Sequence, residues 1–455
     1  MAGEWKRTSL RDAGVTLIDC DHRTPPAVDS GYPYVAIPQL KEGRLALADA
    51  RRISPEHFAD WTRKAKPQHH DVILSRRCNP GTTAFVPAGL EVALGQNLVL
   101  LRSDGTKVFP PFLRWLLNGP HWWEQVGTFI NVGAIFESLK CADIPNFKMP
   151  LPPFAEQKAI AAVLGALDDK IELNRRMNAT LEAMARALFQ SWFVDFDPVR
   201  AQLDGRSPAA LDPATAALFP ASFHDSELGP IPFGWKATKL KALTSKIGSG
   251  ATPRGGSEVY VDEGPALIRS QNVYDHEFHW AGLARLTDKS ATELKNVEVM
   301  KNDVLLNITG DSILRTCVVD PAVLPARVNQ HVAIIRTITG VPPRYIHLYL
   351  VQGSMKSCLI GMSAGATRHA ITKGHLESTD VLHPSAAVLA AFETLTGPWF
   401  ARIDANRTES RTLATLRDTL LPKLLSGELC VAGLDSKLAG AVAESATAQP
   451  RTPVP

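Results

Sequence analysis

The sequence predicts an α+β fold in which two similar α/β units are separated by two long helices packed as an antiparallel coiled coil. Two observations support this pseudo-twofold internal repeat. Short segments of the first half recur in the same order in the second half, at an offset of about 230 positions. Each half then ends in a proline-containing turn followed by about 40 residues whose apolar positions alternate in steps of three and four.

Length and composition are those of a globular protein with several folded units. The chain has 455 residues, which at about 150 residues per domain predicts two to four units. Hydrophobic residues make up 45% and charged residues 21%, and the net charge is only +3, which excludes a histone-like protein. The six cysteines lie far apart without a C-x-x-C pair, which argues against a disulfide scaffold and against a cysteine-built zinc site.

The repeat is carried by strand-like segments, whereas the residues between them differ. This is the pattern expected of one scaffold that reads two different targets. A duplication whose loops have drifted without a function would give the same pattern. The matching segments are Trp5-Lys6 and Trp235-Lys236, Thr24-Pro25 and Thr252-Pro253, Asp71–Leu74 and Asp303–Leu306, Gln96–Arg102 and Gln330–Arg336, and Phe112–Leu117 and Tyr345–Leu350.

The two long helical segments share one register. Lys170-Ile171-Glu172 aligns with Arg402-Ile403-Asp404, and Asn174 aligns with Asn406. A buried polar residue on such a seam costs stability and fixes register. Drift of the helical phase would instead leave both asparagines facing solvent. The predicted seam residues are Ile160, Leu164, Leu167, Ile171, Asn174, Leu181, Leu188, Phe392, Trp399, Ile403, Asn406, Leu413 and Leu420.

Composition shifts divide the chain into six segments. A Pro-, Ala- and Asp-rich connector separates the two copies, and an Ala-, Ser- and Pro-rich tail is expected to be disordered. The predicted segments are an α/β unit (1–150), a spacer helix (151–197), a linker (198–229), a second α/β unit (230–383), a second spacer helix (384–429) and the tail (430–455).

Four motifs resemble those of the specificity (S) subunits of type I restriction–modification systems. Phe147–Gln157, with Pro150-Leu151-Pro152-Pro153 and Glu156-Gln157, is similar to the entry of the central conserved helix of that family, and Ser191–Pro198 is similar to its exit. Asp225–Trp235 resembles the start of the second target-recognition domain, and Leu424–Leu429 resembles the end of the chain. With the repeat, the resemblance covers nearly the whole chain. It departs from the family at the second helix entry, His383–Ala386, which lacks the fuller Pro-x-Pro-Pro-x-x-Glu-Gln pattern.

The resemblance implies two target-recognition domains that each read one half of a split site in double-stranded DNA. The helices would set the gap and dock two methyltransferase (M) subunits, and restriction/translocase (R) subunits would complete the enzyme. No cofactor is implied for this chain, because S-adenosylmethionine belongs to the M subunits and ATP and Mg to the R subunit. The chain is expected to be cytoplasmic and associated with the nucleoid when bound to DNA, with no membrane partner.

No catalytic constellation emerges from the residues themselves. Leu151–Phe154 mimics the Asn/Asp-Pro-Pro-Tyr/Phe loop of adenine methyltransferases, but Leu151 cannot accept a hydrogen bond from a base. Gly248–Pro253 lacks the Gly-Lys-Ser/Thr ending of a nucleotide loop. Neither His69-His70 nor His276-x-x-His279 has a third ligand at helical spacing, so no metal site is predicted. Asp168-Asp169 is expected to lie on a solvated helix face. The chain is therefore predicted not to be an enzyme in itself.

Base reading requires polar and basic side chains on loops that can enter a groove. Gln39 and Gln271 occupy similar places after a repeated strand. Gln96-Asn97 and Asn329–His331 precede repeated strands, where capping of a turn explains them equally well. The DNA-binding candidates are Arg23, Thr24, Gln39, Lys41, Arg76, Arg77 and Asn79 in the first half, and Thr252, Arg254, Arg269, Gln271, Asn272, Asn307, Thr309, Arg315, Arg368 and His369 in the second half.

The favoured hypothesis is a non-catalytic DNA-specificity subunit. The alternative is a duplicated coiled-coil scaffold that binds protein partners without sequence-specific DNA recognition. A standalone methyltransferase or nuclease is disfavoured by the missing motifs.

Overall fold

The computed structural model describes residues 5–131, 137–208, 211–363 and 370–431. The chain forms two compact units: the first comprises residues 1–173 and 410–455, and the second comprises residues 174–409. Each long helix therefore contributes to both units. All but the first two residues of the predicted tail lie outside the described residues.

The first unit combines short strands with three short helices and the beginning of the first long helix. Prolines stand at the first positions of its short helices, where the missing N–H costs no hydrogen bond. The elements are β1 (Arg7–Ser9), β2 (Val15–Asp19), β3 (Tyr32–Val35), β4 (Leu40–Lys41), β5 (Arg44–Leu45), β6 (Arg51–Ile53), α1 (Pro55–Thr62), β7 (Val72–Ser75), β8 (Thr83–Phe85), β9 (Ala93–Leu94), β10 (Leu98–Ser103), α2 (Pro110–Leu116), α3 (Pro120–Phe129), β11 (Lys148–Pro150) and α4 (Phe154–Phe193).

The second unit begins within α4 and ends within the second long helix. Its elements are α5 (Asp197–Leu203), α6 (Pro213–Ala216), β12 (Phe223–Ser226), β13 (Gly229–Pro232), β14 (Lys236–Lys239), β15 (Thr244–Ser249), β16 (Tyr260–Ile268), β17 (Ala284–Leu286), α7 (Asp288–Glu293), β18 (Glu298–Val299), β19 (Val304–Asn307), β20 (Thr316–Val318), β21 (Ala326–Val328), β22 (Val332–Thr337), α8 (Pro343–Leu350), α9 (Gly353–Ser363), α10 (Lys373–Ser378), β23 (Asp380–His383) and α11 (Ala386–Ser426).

Strand order is the same in the two units, in agreement with the repeat in the sequence. A four-stranded antiparallel sheet runs β2-β10-β7-β8 in the first unit and β15-β22-β19-β20 in the second. Next to it in chain order, β6-β3-β9 corresponds to β17-β16-β21, to which the second unit adds β18. In both copies the inner pair, β3-β9 or β16-β21, is parallel. The ribbon β1-β11 corresponds to β14-β23.

One ion pair is repeated on the four-stranded sheets. Arg102 Nε and Nη2 donate to the two carboxylate oxygens of Asp71 at 2.8 and 2.7 Å. Arg336 donates to both oxygens of Asp303 in the same way, at 2.7 Å each. Both aspartates are buried, and a bidentate arginine satisfies a buried carboxylate better than a single contact does. These two pairs explain why Asp71–Leu74 and Gln96–Arg102 recur together.

The two long helices pack antiparallel within each unit. In the first unit, Ile160 near the start of α4 shares a core cluster with Leu424 near the end of α11. In the second unit, Phe189 near the end of α4 packs against Phe392 near the start of α11, with ring centroids 6.2 Å apart. Together with the mixed sheets, this packing confirms the predicted α+β fold with antiparallel long helices.

The connector between the two copies, which its composition predicts to be a linker, has regular structure. It contains α5, α6 and the hairpin β12-β13. Val199 and Phe219 are buried in the main core of the second unit, and the ring of Phe219 meets Trp192 edge-on at 4.9 Å. Burial of these apolar residues offsets the conformational entropy that the segment loses when it becomes ordered.

Within the described ranges, every helix is too short or too polar to cross a bilayer.

Candidate nucleic-acid interface

A cleft in the first unit gathers several of the predicted DNA-contacting residues. It has a volume of about 400 Å³ and is lined by Thr24, Gln39, Arg51, Gln96 and Asn97 among others. Antiparallel pairing of β2 with β10 places the loop after β2 beside the turn before β10, which explains why Thr24 and Gln96 meet. The cleft therefore offers hydroxyl, amide and guanidinium groups at one end of the sheet.

Gln39 has one committed group and one free group. Its Oε1 accepts the backbone N–H of Ala36 at 3.1 Å, so that the side chain caps a short turn. Arg51 donates to the carbonyl of Pro25 at 2.8 Å. These contacts hold the two side chains in place at the cleft, and each retains further N–H groups.

Arg23, in contrast, is already paired. Its guanidinium donates to Asp21 at 2.8 Å and Asp60 at 3.0 Å and lies 4.5 Å from the centre of the Trp61 ring. The hydrogen bonds to Asp21 and Asp60 raise the pKa of Arg23 above its ordinary value. To contact a phosphate, Arg23 would have to leave two carboxylates, so we assign it to the support of its loop.

The remaining candidates of the first unit lie at loop ends. Lys41, Arg77 and Asn79 are exposed and Arg76 is half-buried. The backbone N–H of Arg76 donates to the carbonyl of Asn97 at 3.0 Å, which ties this loop to the cleft.

In the second unit, a chain of side-chain hydrogen bonds connects three loops at the corresponding sheet end. Thr252 Oγ1 donates to Gln330 Oε1 at 2.8 Å, and Gln330 Nε2 donates to His331 Nε2 at 3.0 Å. His331 Nδ1 lies 2.6 Å from Thr309 Oγ1. Thr252 and Thr309 were predicted from the sequence, whereas Gln330 and His331 stayed open between DNA contact and turn capping. The neighbouring Asn329 is the residue that caps, because its Oδ1 accepts the N–H of His331 at 3.0 Å.

Two predicted DNA contacts in the second unit are wrong. Asn272 and Asn307 are fully buried. The amide of Asn272 donates to the carbonyl of His279 at 2.9 Å, and the amide of Asn307 donates to the carbonyl of Ser270 at 2.9 Å. Both asparagines hold a loop from inside, because an asparagine amide can satisfy buried carbonyl groups that the strands leave unpaired.

The other DNA-binding candidates of the second unit differ in their exposure and in the contacts that they make. Arg254 is exposed. Arg269 and Gln271 both donate to the carbonyl of Gly282, at 2.6 and 3.1 Å. Arg315 lies 4.5 Å from the centre of the Tyr274 ring. Arg368 and His369 lie outside the described residues.

A lysine-lined cleft of about 450 Å³ was not predicted. Lys241, Lys246 and Lys373 line it together with hydroxyl groups of β15. Lys373 forms an ion pair with Glu377 at 3.6 Å. These lysines lie more than 100 positions apart at the extremes, so no local charge cluster in the sequence could indicate the cleft.

Within the described residues, one cluster has the composition of a metal site: Asp19, Cys20 and His22. Its groups are committed to each other and to the backbone. His22 lies 3.0 Å from Asp19, and the Cys20 thiol donates to the carbonyl of Gly95 at 3.2 Å. Burial raises the pKa of Cys20 to about 11, so the thiol is protonated at neutral pH and acts here as a hydrogen-bond donor. We assign the cluster a structural role.

In the first unit, the buried carboxylate of Asp168 connects the sheets to the long helices α4 and α11. Asp168 of α4 accepts from Arg44 at 2.9 Å, Arg114 at 3.0 Å and Arg417 of α11 at 2.8 Å. The prediction that Asp168 lies on a solvated face is wrong, since the side chain is only 5% exposed. Burial alone would raise the pKa of Asp168, but the three guanidinium groups outweigh it and hold the pKa below its ordinary value.

In the second unit, a different set of salt bridges holds the long helices in place. Arg344 of α8 donates to Asp404 of α11 at 3.1 Å, and Arg407 donates to Glu182 of α4 at 2.8 Å. Arg407 also donates to the carbonyl of His276 at 2.8 Å. Each sheet domain is therefore attached to the two helices that pass it by partly buried arginines.

The seam positions are buried to different degrees. Asn174 and Asn406 face the partner helix and not solvent. The seam residues that are buried are Ile160, Leu164, Ile171, Asn174, Phe392, Ile403 and Asn406, and those that are half-buried are Leu167, Leu181, Leu188, Trp399, Leu413 and Leu420.

The two helix entries are built differently. Gln157 is buried, accepts the N–H of Phe109 at 2.8 Å and donates to the carbonyl of Pro152 at 2.9 Å, which explains the glutamine of the first entry. At the second entry, Ser385 Oγ accepts the N–H of Val388 at 3.3 Å and caps α11.

Known proteins with similar sequences come from one family. Residues 23–183 match the model of the type I restriction modification DNA specificity domain. The specificity subunit of the type I restriction enzyme HindI from Haemophilus influenzae is 25% identical over 402 residues, which cover 79% of this chain and 86% of that protein. Over most of its length the chain is therefore similar to the specificity subunits of type I restriction–modification systems.

Two further comparisons agree with this assignment. The MjaIX specificity subunit of Methanocaldococcus jannaschii is 25% identical over 370 residues, which cover 79% of this chain and 78% of that protein. The crystal structure of a type I S subunit from M. genitalium has the same fold, with a TM-score of 0.56 and 14% identity, and covers 92% of this chain and 96% of that one. The relatives described here are both named as specificity subunits.

Proposed function

We propose that this specificity subunit reads a bipartite site in double-stranded DNA, with each target-recognition domain contacting one half-site. The observation that carries the proposal is the pair of equivalent sheet ends. Thr24 and Gln96 at one end correspond to Thr252 and Gln330 at the other, although the surrounding loops differ. Hydroxyl and amide groups on loops are the groups that read base edges.

Candidates that remain exposed or half-buried and uncommitted to carboxylates form the proposed contact set. Lysines at the second cleft would bind phosphates and set orientation without reading sequence. The proposed contacts are Thr24, Gln39, Lys41, Arg76, Arg77, Asn79, Thr252, Arg254, Arg269, Gln271, Thr309 and Arg315, with Gln96, Gln330 and His331 added. Arg368 and His369 remain proposals from the sequence.

We further propose that the two long helices set the gap between the half-sites and dock two M subunits, and that R subunits complete the enzyme. Large apolar side chains exposed on both helices support a docking role. Leu173 and Met184 of α4 are 47% and 43% exposed, and Leu416 of α11 is 45% exposed. The small net charge of +3 also suggests that the M subunits contribute part of the DNA affinity.

An exchange of domains tests the division of labour. Residues 1–150 would be replaced by those of another family member, and the methylated sites of cells expressing the hybrid with its M subunit would be sequenced. One half of the site should change while the other half and the gap stay the same. A change in both halves, or in neither, would contradict the proposal.

A binding experiment separates DNA reading from a purely protein-binding scaffold. The complex with the M subunits should retain its site against an excess of random DNA at fixed salt, because non-specific binding depends mainly on phosphates. Equal affinity for site and random DNA would instead favour the scaffold.

A further inference from the structure

The hydrogen-bond chain of the second unit orients one side-chain amide toward solvent. Thr252 follows β15, Gln330 and His331 precede β22, and Thr309 follows β19, so antiparallel pairing brings the three loops together. Thr252 and Gln330 are exposed, whereas His331 and Thr309 are half-buried. The chain therefore runs from partly enclosed groups outward to Gln330.

The chain assigns donors and acceptors to each group. Gln330 Nε2 can only donate, so His331 Nε2 is the acceptor and the ring proton lies on Nδ1, which donates to Thr309 Oγ1. Gln330 Oε1 accepts from the Thr252 hydroxyl. One N–H and one oxygen lone pair of the Gln330 amide stay free. The same two groups stay free if the amide and the imidazole tautomer are reversed together.

We propose that Gln330 reads an adenine in the half-site of the second target-recognition domain, as a deepening of the proposed function on which it rests. In the major groove, adenine presents the N7 acceptor beside the N6 amino donor. The free N–H and oxygen of Gln330 match this pair. Guanine presents two acceptors, and cytosine and thymine each present one hydrogen-bonding group, so adenine alone gives a two-point match.

Because its amide is oriented before DNA binds, Gln330 should select adenine over the other bases. A free glutamine loses rotamer entropy when it binds and can turn its amide to suit either partner. Thr252 and His331 remove that freedom in the unbound protein. Gln96 occupies the equivalent position in the first unit, and among the described residues its amide has no such hydrogen-bond partners. Gln96 is therefore a matched control.

The first test uses the wild-type complex of this chain with its M subunits. Once the domain exchange has assigned a half-site to the second domain, each adenine of that half-site would be replaced in turn by 7-deazaadenine, which lacks N7. Binding should weaken about tenfold or more at one position, the order expected for loss of a bidentate base contact. No sensitive adenine, or no adenine in that half-site, would overturn the proposal.

The second test uses variants. The Gln330→Ala complex should lose discrimination at that one position by about ten- to a hundredfold and become insensitive to 7-deazaadenine there, with the first half-site unchanged. His331→Ala should weaken discrimination at the same position. Gln96→Ala removes a proposed contact of the first half-site, so it should weaken overall binding but leave the base preference at that position of the second half-site unchanged. A Gln330→Ala complex that still senses 7-deazaadenine would overturn the proposal. A wild-type complex without any bipartite site would instead refute the proposed function.

Discussion

Asp168 connects the sheets of the first unit to the two long helices. Three arginines, from the sheet domain (Arg44), from α2 (Arg114) and from α11 (Arg417), converge on its carboxylate. A buried charge is tolerated only with compensation of this kind. Without Asp168, Arg44 and Arg417 would keep Glu172 and Asp418 as partners, whereas Arg114 would lose the carboxylate to which it donates.

Asp168→Asn should therefore destabilise the first unit by about 3–5 kcal/mol, because three guanidinium groups would surround a neutral amide. The midpoint of urea unfolding, followed by tryptophan fluorescence, measures this. Asp169→Asn is the matched control, since Asp169 is exposed and its loss should change stability by less than about 0.5 kcal/mol.

The contribution of Asp168 to the free energy of unfolding depends on pH in a defined direction. Because the pKa of Asp168 is lowered in the folded state, its contribution is present above the unfolded value of about 3.9 and is lost as pH falls through the folded pKa. The difference between wild type and Asp168→Asn should shrink in strong acid. A constant difference down to pH 2 would argue against this ion cluster as its source.

At the scale of the element, the asparagines show how a helix pair acquires one register. Asn406 Nδ2 donates to Asn178 Oδ1 at 2.8 Å, and Asn174 Nδ2 donates to Glu409 at 2.8 Å. Within the part of the chain that the structure describes, Asn406 Oδ1 is buried and has no hydrogen-bond partner. A seam with this arrangement gives up stability to exclude other registers.

Asn406→Leu should raise the free energy of unfolding by about 1–2 kcal/mol, because it removes a buried polar atom without a partner. It should also broaden the distribution of gaps among methylated sites, since an apolar seam tolerates slippage. Calorimetry and methylome sequencing measure the two effects. Ile403→Leu, one turn away on the same seam, is the control and should leave the gap unchanged. A less stable Asn406→Leu variant would show that the asparagine is a net stabiliser.

At the scale of the whole molecule, both long helices pass from one compact unit to the other. The boundary falls between Leu173 and Asn174 in α4 and between Glu409 and Ser410 in α11. If the helices set the gap, their length at this boundary should appear in the DNA site.

Insertion of seven helix-forming residues at both boundaries should lengthen the gap by about three base pairs. Seven residues add about 10 Å at 1.5 Å each, and a heptad keeps the seam in register. The gap follows from methylome sequencing of cells that express the variant. The same insertion in α4 alone is the control and should impair folding, because it shifts one seam against the other. An unchanged gap in the double insertion would refute the proposal that the helices set the distance between the half-sites.

The sequence by itself determined the repeat, the strand segments, the long helices and the resemblance to a family. These features are local or periodic: apolar spacing, prolines at helix entries, and segments such as Gln96–Arg102 that recur in order. It also indicated the loop ends that carry Thr252 and Thr309, because polar residues after strands occupy predictable places.

Only the tertiary structure decided which polar residues are free. Asn272 and Asn307 are of a residue type that reads bases, but both are buried. Asp168 is of a residue type that usually lies on the surface, but it is buried too. Contacts such as Asp168–Arg417 and Thr252–Gln330 join positions far apart in the chain. Burial and hydrogen-bond partners depend on how distant segments pack, and no local pattern encodes that packing.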